Sequence, residues 1–350
     1  MKEWKGIIAE YSDFLPFKAD SNTVTLLEGN TPLIFSPNLS KKTGASVYLK
    51  FDGANPTGSF KDRGMTVAIT KAKKDGADAV ICASTGNTSA SAAAYAARCG
   101  LKCNVLIPSG KIAGGKMAQV IAHGANVVAI DGNFDQALEL VKKISSQYSI
   151  ALVNSINPFR IEGQKTAAFE ICDVLGRSPD YLFIPVGNAG NITAYWKGFG
   201  EYRSAGRIKS MPRMCGFQAA GAAPIYYDRK IDHPETVATA IRIGNPARWQ
   251  EAKAAMADSE GMVGIVTDEE IMSAYFEVAS HDGIFSEPAS AASVAGLLKK
   301  SESDVLLKEK LIVCVLTGHG LKDPDSAVKF GTGLKTAGAD MSSVLSAIGL

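Results

Sequence analysis

Lys61 stands in the stretch Asn55-Pro56-Thr57-Gly58-Ser59-Phe60-Lys61-Asp62-Arg63-Gly64-Met65. Pro56 and Gly58 mark a turn. After it Met65, Val67, Ala68, Ile69 and Ala72 recur at helical spacing, and Gly76 sits where a helix stops. Lys61 therefore falls at a helix start, where the partial positive charge of the N-terminus disfavours a cation and lowers the amine's pKa. A partly neutral amine attacks a carbonyl and forms a Schiff base. The plain alternative is a solvated lysine on a surface loop.

Other loops carry groups suited to small ligands. Ala83-Ser84-Thr85-Gly86-Asn87-Thr88-Ser89 offers four hydroxyls, an amide and the free N–H groups of a helix start. Those are donors for a carboxylate, although Ser, Thr and Asn also serve as ordinary N-caps. In Pro185-Val186-Gly187-Asn188-Ala189-Gly190-Asn191, two glycines let the backbone curl around a ligand, and a helix follows. That is a phosphate cradle, or a plain glycine turn. It is not Gly-x-Gly-x-x-Gly, so a dinucleotide is a poor reading. Asn154-Ser155-Ile156-Asn157-Pro158-Phe159-Arg160 joins small donors to an arginine whose planar fork suits phosphate, or is a turn with a surface arginine. Thr317-Gly318-His319-Gly320-Leu321-Lys322-Asp323-Pro324 follows the last apolar strand; His319 is assigned no role. Gly110 to Met117 matches the triphosphate-binding loop up to its last position, where Met117 replaces the Ser or Thr that holds Mg²⁺.

The elements that must position these loops alternate. Strands are expected at 46–51, 79–83, 103–107, 126–130, 181–186, 214–219 and 311–316. Helices are expected at 89–98, 116–123, 134–146, 159–175 and 191–202, from the capping box at Thr267–Glu270 to about 280, and from Pro288. Repeated βα units imply a parallel sheet with helices on both faces, and ligands bind such sheets at the carboxyl ends of strands. Residues 1–45 read as irregular. Residues 220–262 carry Gly, Pro and charge and read as a mobile or partner-facing segment. No repeat or low-complexity linker breaks the chain.

The 350 residues suit one large or two modest domains, and 46% apolar with 21% charged residues is an ordinary globular balance. A net charge of +2 gives no electrostatic case for nucleic acid or membrane partners. No apolar h-region follows Met1-Lys2-Glu3-Trp4-Lys5, and no transmembrane span is seen. The six cysteines lie mostly inside apolar runs, which suggests reduced core thiols and a cytoplasmic protein. The four histidines show no ligand spacing, so no metal site is expected.

The Lys61 stretch resembles the lysine motif of the fold-type II pyridoxal-phosphate (PLP) enzymes, the tryptophan-synthase-β-like group. The loops at Gly29-Asn30-Thr31-Pro32-Leu33, 84–89, 187–191 and 317–323 match that group in order, and the resemblance covers nearly the whole chain. Within the group, the Lys61 and Thr317 loops are similar to those of the threonine synthase family; related dehydratases carry a Ser-Gly-Gly run at the second place. The resemblance implies two doubly wound α/β domains with PLP in the cleft between them. The smaller would be about 46–152, and the larger 1–45 plus 153–350. It implies that Lys61 holds PLP as a Schiff base and takes the substrate's Cα proton. Asn87 would bond the ring oxygen, Gly187, Asn188, Ala189, Gly190 and Asn191 the cofactor phosphate, and Thr317 the ring nitrogen without protonating it. Ser84, Thr85 and Thr88 would hold the amino-acid carboxylate, and Lys116, Asn154, Ser155 and Arg160 the substrate phosphate. Glu287, in Asp282–Ser290, would lie near the ring with no assigned role. The implied reaction converts O-phospho-L-homoserine and water to L-threonine and phosphate, in a homodimer. The runners-up are a threonine/serine dehydratase and a cysteate-synthase-like enzyme of the same fold. A non-catalytic binding module is disfavoured by Lys61 at a helix start.

Overall fold

The computed structural model describes residues 3–109, 114–303, 307–331, 333 and 335–350, with backbone alone at 114–116. Its strands are β1 (Leu33–Phe35), β2 (Ser46–Phe51), β3 (Ala79–Ala83), β4 (Lys102–Pro108), β5 (Asn126–Ile130), β6 (Ile150–Leu152), β7 (Tyr181–Pro185), β8 (Arg213–Ala219), β9 (Met262–Val266) and β10 (Leu311–Leu316). They form a six-stranded sheet, β1-β2-β10-β7-β8-β9, and a four-stranded sheet, β5-β4-β3-β6. β1 runs antiparallel to β2. Every other pairing is parallel.

The apolar runs of β3, β7 and β10 are buried almost throughout. Strands apolar on both faces need helices on both faces, and the core has that form. On one face of the larger sheet, Phe183, Phe217, Val294 and Leu297 pack with Ile271 and Tyr275. On the other, Leu182, Ile184 and Val313 pack with Phe169, Ile192 and Phe199. Alanines 90, 92, 93, 94 and 96 seat the Asn87–Cys99 helix closely on the smaller sheet.

Several local expectations change. Ser46–Phe51 pairs with β10, so the proposed small-domain start at residue 46 falls inside the larger sheet, and the smaller sheet draws its strands from 79–152. The helix expected over 159–175 is two, Pro158–Gln164 and Thr166–Leu175, with buried Lys165 at the break held by Glu162 and Glu201. Residues 1–45, expected irregular, include β1 and the Pro37–Thr43 helix, which Ser36 caps. Residues 220–262, expected mobile or partner-facing, pack Ala238 and Ile241 into the core and include the Trp249–Asp258 helix. The capping box at Thr267 and Glu270 is present.

Candidate active site

Lys61 is the first residue of the Lys61–Lys74 helix, which follows β2 and a short turn. Gly58 takes φ +84°, a backbone state that glycine adopts without strain. That shape lets two loops zip together: Phe60 N–H donates to the Thr317 carbonyl at 2.9 Å, and His319 N–H to the Gly58 carbonyl at 2.9 Å. Asp62 is buried, accepting from Thr57 N–H (2.7 Å), Thr57 Oγ1 (2.6 Å) and Ser91 Oγ (2.6 Å). One turn of helix is thereby tied to its own approach loop and to the Asn87–Cys99 helix.

A second buried network fixes the same helix. The Arg63 guanidinium donates to Asp52 (2.9 Å) and to both oxygens of Glu170 (2.6 and 2.7 Å), while Lys50 donates to Glu170 at 2.7 Å. Two cations and two carboxylates balance, which is how charges survive burial. Closer along the helix, Gly64 faces Arg160 and Gly163 faces the Arg63 carbonyl. A Cβ on Gly163 would lie 1.8 Å from that oxygen, so only glycine permits this crossing.

The Lys61 amine lies 3.8 Å from the centre of the Phe60 ring. Its pKa falls to about 7, first because burial penalises the charged form, then because of the Arg160 guanidinium, with Glu287 opposing both. Burial therefore leads where the sequence suggested the helix field. A neutral amine is present near neutral pH, as carbonyl attack requires.

Around it, Asn87 opens its helix and donates Nδ2–H to both oxygens of Glu287, at 3.2 and 3.1 Å. Ser84, Thr85 and Thr88 are partly exposed beside it. Ser84 Oγ accepts from Gly86 N–H (3.2 Å), and Thr88 Oγ1 from Arg160 Nη1 (3.5 Å). Thr317 is buried, its hydroxyl 3.1 Å from that of Ser290. Arg160 is 1% exposed; Nη1 donates to the Val153 carbonyl at 3.1 Å, while buried Nε has no partner. Burial lowers its pKa to about 10.

The glycine loop leads from β7 into the Gly190–Ser204 helix, whose start no side chain caps. Ala189 takes φ +63°, aiming the helix start, and buried Asn191 Nδ2 has no hydrogen-bond partner. Gly187 lies against Ile241, whose Cα would be 3.0 Å from an added Cβ. Asn188 is gripped on both sides: Nδ2–H donates to Ser155 Oγ at 3.3 Å, and Oδ1 accepts from Ala247 N–H at 3.0 Å. Segment 220–262 thus closes over this loop.

Asn154 stands apart from its expected role. Its amide accepts from Ala83 N–H (3.0 Å) and donates to the Ala83 carbonyl (2.9 Å), pairing with the last residue of β3. The Lys116 side chain lies outside the described residues. Sequence reading missed Ser290, Ile241, Ala247 and Lys322. Lys322 reaches from the Thr317 loop to Gln119 on the Gly114–Ala122 helix. Only Ser290 and Lys322 carried a signal, as polar residues inside segments already singled out.

The family model described as "Pyridoxal-phosphate dependent enzyme" matches residues 24–318. A threonine synthase of Mycobacterium tuberculosis is 58% identical over 348 residues, covering 99% of this chain and 97% of the relative. One of Synechocystis is 60% identical, covering 93% and 85%. One of Methanocaldococcus jannaschii is 54% identical, covering 91% and 81%. The chain belongs to the threonine synthases, within the pyridoxal-phosphate-dependent enzymes. A threonine deaminase of Solanum lycopersicum aligns at TM-score 0.73 and 23% identity, covering 85% of this chain and 86% of that one. Maize serine racemase aligns at 0.73 and 20%, covering 83% and 88%. Both share the fold.

A threonine synthase is a PLP-dependent lyase. The residues present fit that cofactor. The uncapped helix start and the unpartnered Asn191 amide are donors that suit its phosphate. Lys61 has an amine of lowered pKa that suits the cofactor's aldehyde, and Thr317 a buried, uncharged hydroxyl nearby in the Thr317 loop. Among the described residues no His/Cys/Asp/Glu group could hold a metal ion, and no helix is long and apolar enough to cross a membrane.

Proposed function

We propose that this site converts O-phospho-L-homoserine and water to L-threonine and phosphate, with Lys61 as the catalytic base. The observation that carries the reading is Arg160: a buried guanidinium with an unpartnered Nε, beside Thr88 and electrostatically coupled to Lys61. A buried cation with a spare donor calls for an anion, and the substrate's phosphate is one.

Lys61 would hold the cofactor, with Asn87 at the ring oxygen, the Gly187–Asn191 loop at its phosphate and Thr317 at the ring nitrogen. Bound there, PLP supplies the electron sink for a carbanion at Cα. The Lys61 amine, with its pKa lowered to about 7, takes the Cα proton onto Nζ. Ser84, Thr85 and Thr88 orient the substrate carboxylate at the helix start. Arg160 and Ser155 hold the leaving phosphate, while Asn154 serves by fixing Ala83 at the end of β3. Lys116 completes the phosphate site in this reading. Six free thiols support a reducing compartment, the cytoplasm. The reading includes a homodimer, which light scattering tests.

Arg160→Leu should lower kcat/KM for O-phospho-L-homoserine by about 10- to 100-fold, the value of a charge-assisted hydrogen bond. Unchanged activity would favour a dehydratase, which needs no phosphate holder. Turnover of O-phosphoserine ahead of O-phospho-L-homoserine would favour the cysteate-synthase-like alternative.

A further inference from the structure

Glu287 is a buried ionisable group beside Asn87 to which the mechanism above gives no task. It is 4% exposed and sits just before the Pro288–Ser303 helix. Its backbone N–H donates to the Gly318 carbonyl at 2.9 Å. Its carboxylate presses on Gly318 so closely that a Cβ there would be 2.4 Å from Oε1. Its side-chain hydrogen-bond partner among the described contacts is Asn87, at 3.2 and 3.1 Å to the two oxygens. Lys61 and Lys322 are its cationic neighbours, and burial holds its pKa above the usual carboxylate value. A buried carboxylate served by one amide is expensive, and a plain packing role would be met by an apolar side chain.

The contact joins elements of the two sheet layers. Asn87 belongs to the helix after β3, in the smaller sheet's layer, and Glu287 to the layer of the larger sheet beside Thr317. An amide carries two N–H bonds. One lies between the two carboxylate oxygens, so the other has a fixed direction in the amide plane. The Glu287 side chain, whose own backbone is fixed by its bond to Gly318, accepts from that amide and so limits its rotation.

We propose that Glu287 is a positioning residue that clamps the Asn87 amide from the opposite sheet layer, leaving its second N–H aimed at the cofactor's ring oxygen. The inference rests on the reading of Asn87 given above. It predicts a division of labour in one amide, in which the first hydrogen is structural and the second binds.

The test is titration of the apoprotein with pyridoxal phosphate, following visible absorbance and thermal midpoint, for the parent, Glu287→Gln, Glu287→Ala, Asn87→Ala and the Glu287→Ala/Asn87→Ala double variant. Glu287→Gln keeps the shape and one acceptor, and should bind within about threefold of the parent with the same band. Glu287→Ala should bind about tenfold more weakly with a shifted band, because the amide is free to rotate. The double variant should be no weaker than Asn87→Ala alone, since the clamp acts only through that amide. Additive losses, a parent-like Glu287→Ala, or a Glu287→Gln as weak as Glu287→Ala would each overturn the clamp. An Asn87→Ala protein with parent affinity and band would instead overturn the reading of Asn87. The apoprotein midpoint separates both from a folding defect.

Discussion

Replacing Arg63 with leucine should unsettle the base of the Lys61 helix more than any surface change. In the intact protein the guanidinium bonds Asp52, both oxygens of Glu170, Thr31 Oγ1 (2.9 Å) and Thr166 Oγ1 (3.3 Å). Leucine fills part of the volume and supplies no donor. Glu170 then keeps Lys50 (2.7 Å) and the Asn30 N–H (2.8 Å), whereas Asp52 keeps the Thr31 hydroxyl at 2.8 Å. A net negative charge stays buried. Breaking such a pair costs about 3–5 kcal/mol. The Glu170 carboxyl reports the same network, Arg63 and Lys50 acting together. Burial pushes the Glu170 carboxyl up, but Arg63 and then Lys50 outweigh it and hold the pKa at about 2 instead of 4.5. A shift of that size is worth about 3 kcal/mol. Because the folded pKa is depressed, this stability is fully present above pH 4.5 and is lost as pH falls towards 2. Urea unfolding of the apoprotein, followed by circular dichroism at pH 7 and again between pH 5 and 3, measures both quantities. The variant should lose about 3–5 kcal/mol at pH 7 and show a shallower decline in acid. A loss below about 1 kcal/mol, or an unchanged acid slope, would refute the network as the anchor of the helix.

Lys61→Ala should abolish turnover and the visible band of bound cofactor while leaving the fold intact by circular dichroism; retained turnover would contradict its role. In the apoprotein the lowered Lys61 pKa means that the unfolded chain binds the extra proton between about pH 7 and 10.5, so stability should rise with pH across that window. Lys61→Met should flatten that rise in a thermal-melt series. Gly163→Ala puts a methyl group 1.8 Å from the Arg63 carbonyl and should cost about 1–3 kcal/mol by forcing two helices apart, read as a lower urea midpoint.

The parts legible in the sequence share a cause. β2, β3, β5 and β10 are apolar or alternating runs bounded by turns, and periodicity places them to the residue. The placement of Lys61, Asn87 and the 187–191 loop at strand–loop–helix junctions was legible because local pattern marks such junctions. What escaped depends on distant partners. β6 is three residues and is a strand because β3 runs beside it. At the Lys165 break the lysine pairs with Glu162 and with Glu201, and the second partner lies too far along the chain for local pattern to show. Lys50, Asp52, Arg63 and Glu170 read as ordinary charges; their burial follows from four elements meeting. Asn154 has the right type for a phosphate site, yet its amide is taken by Ala83, which no spacing reveals. Segment 220–262 has loop composition, and its order comes from packing on Gly187 and Asn188.

The most direct test incubates the PLP-loaded protein with O-phospho-L-homoserine and quantifies phosphate and L-threonine together. The account predicts equal amounts of both. Phosphate accompanied by a keto acid in place of threonine would mean elimination without water addition, and would contradict it.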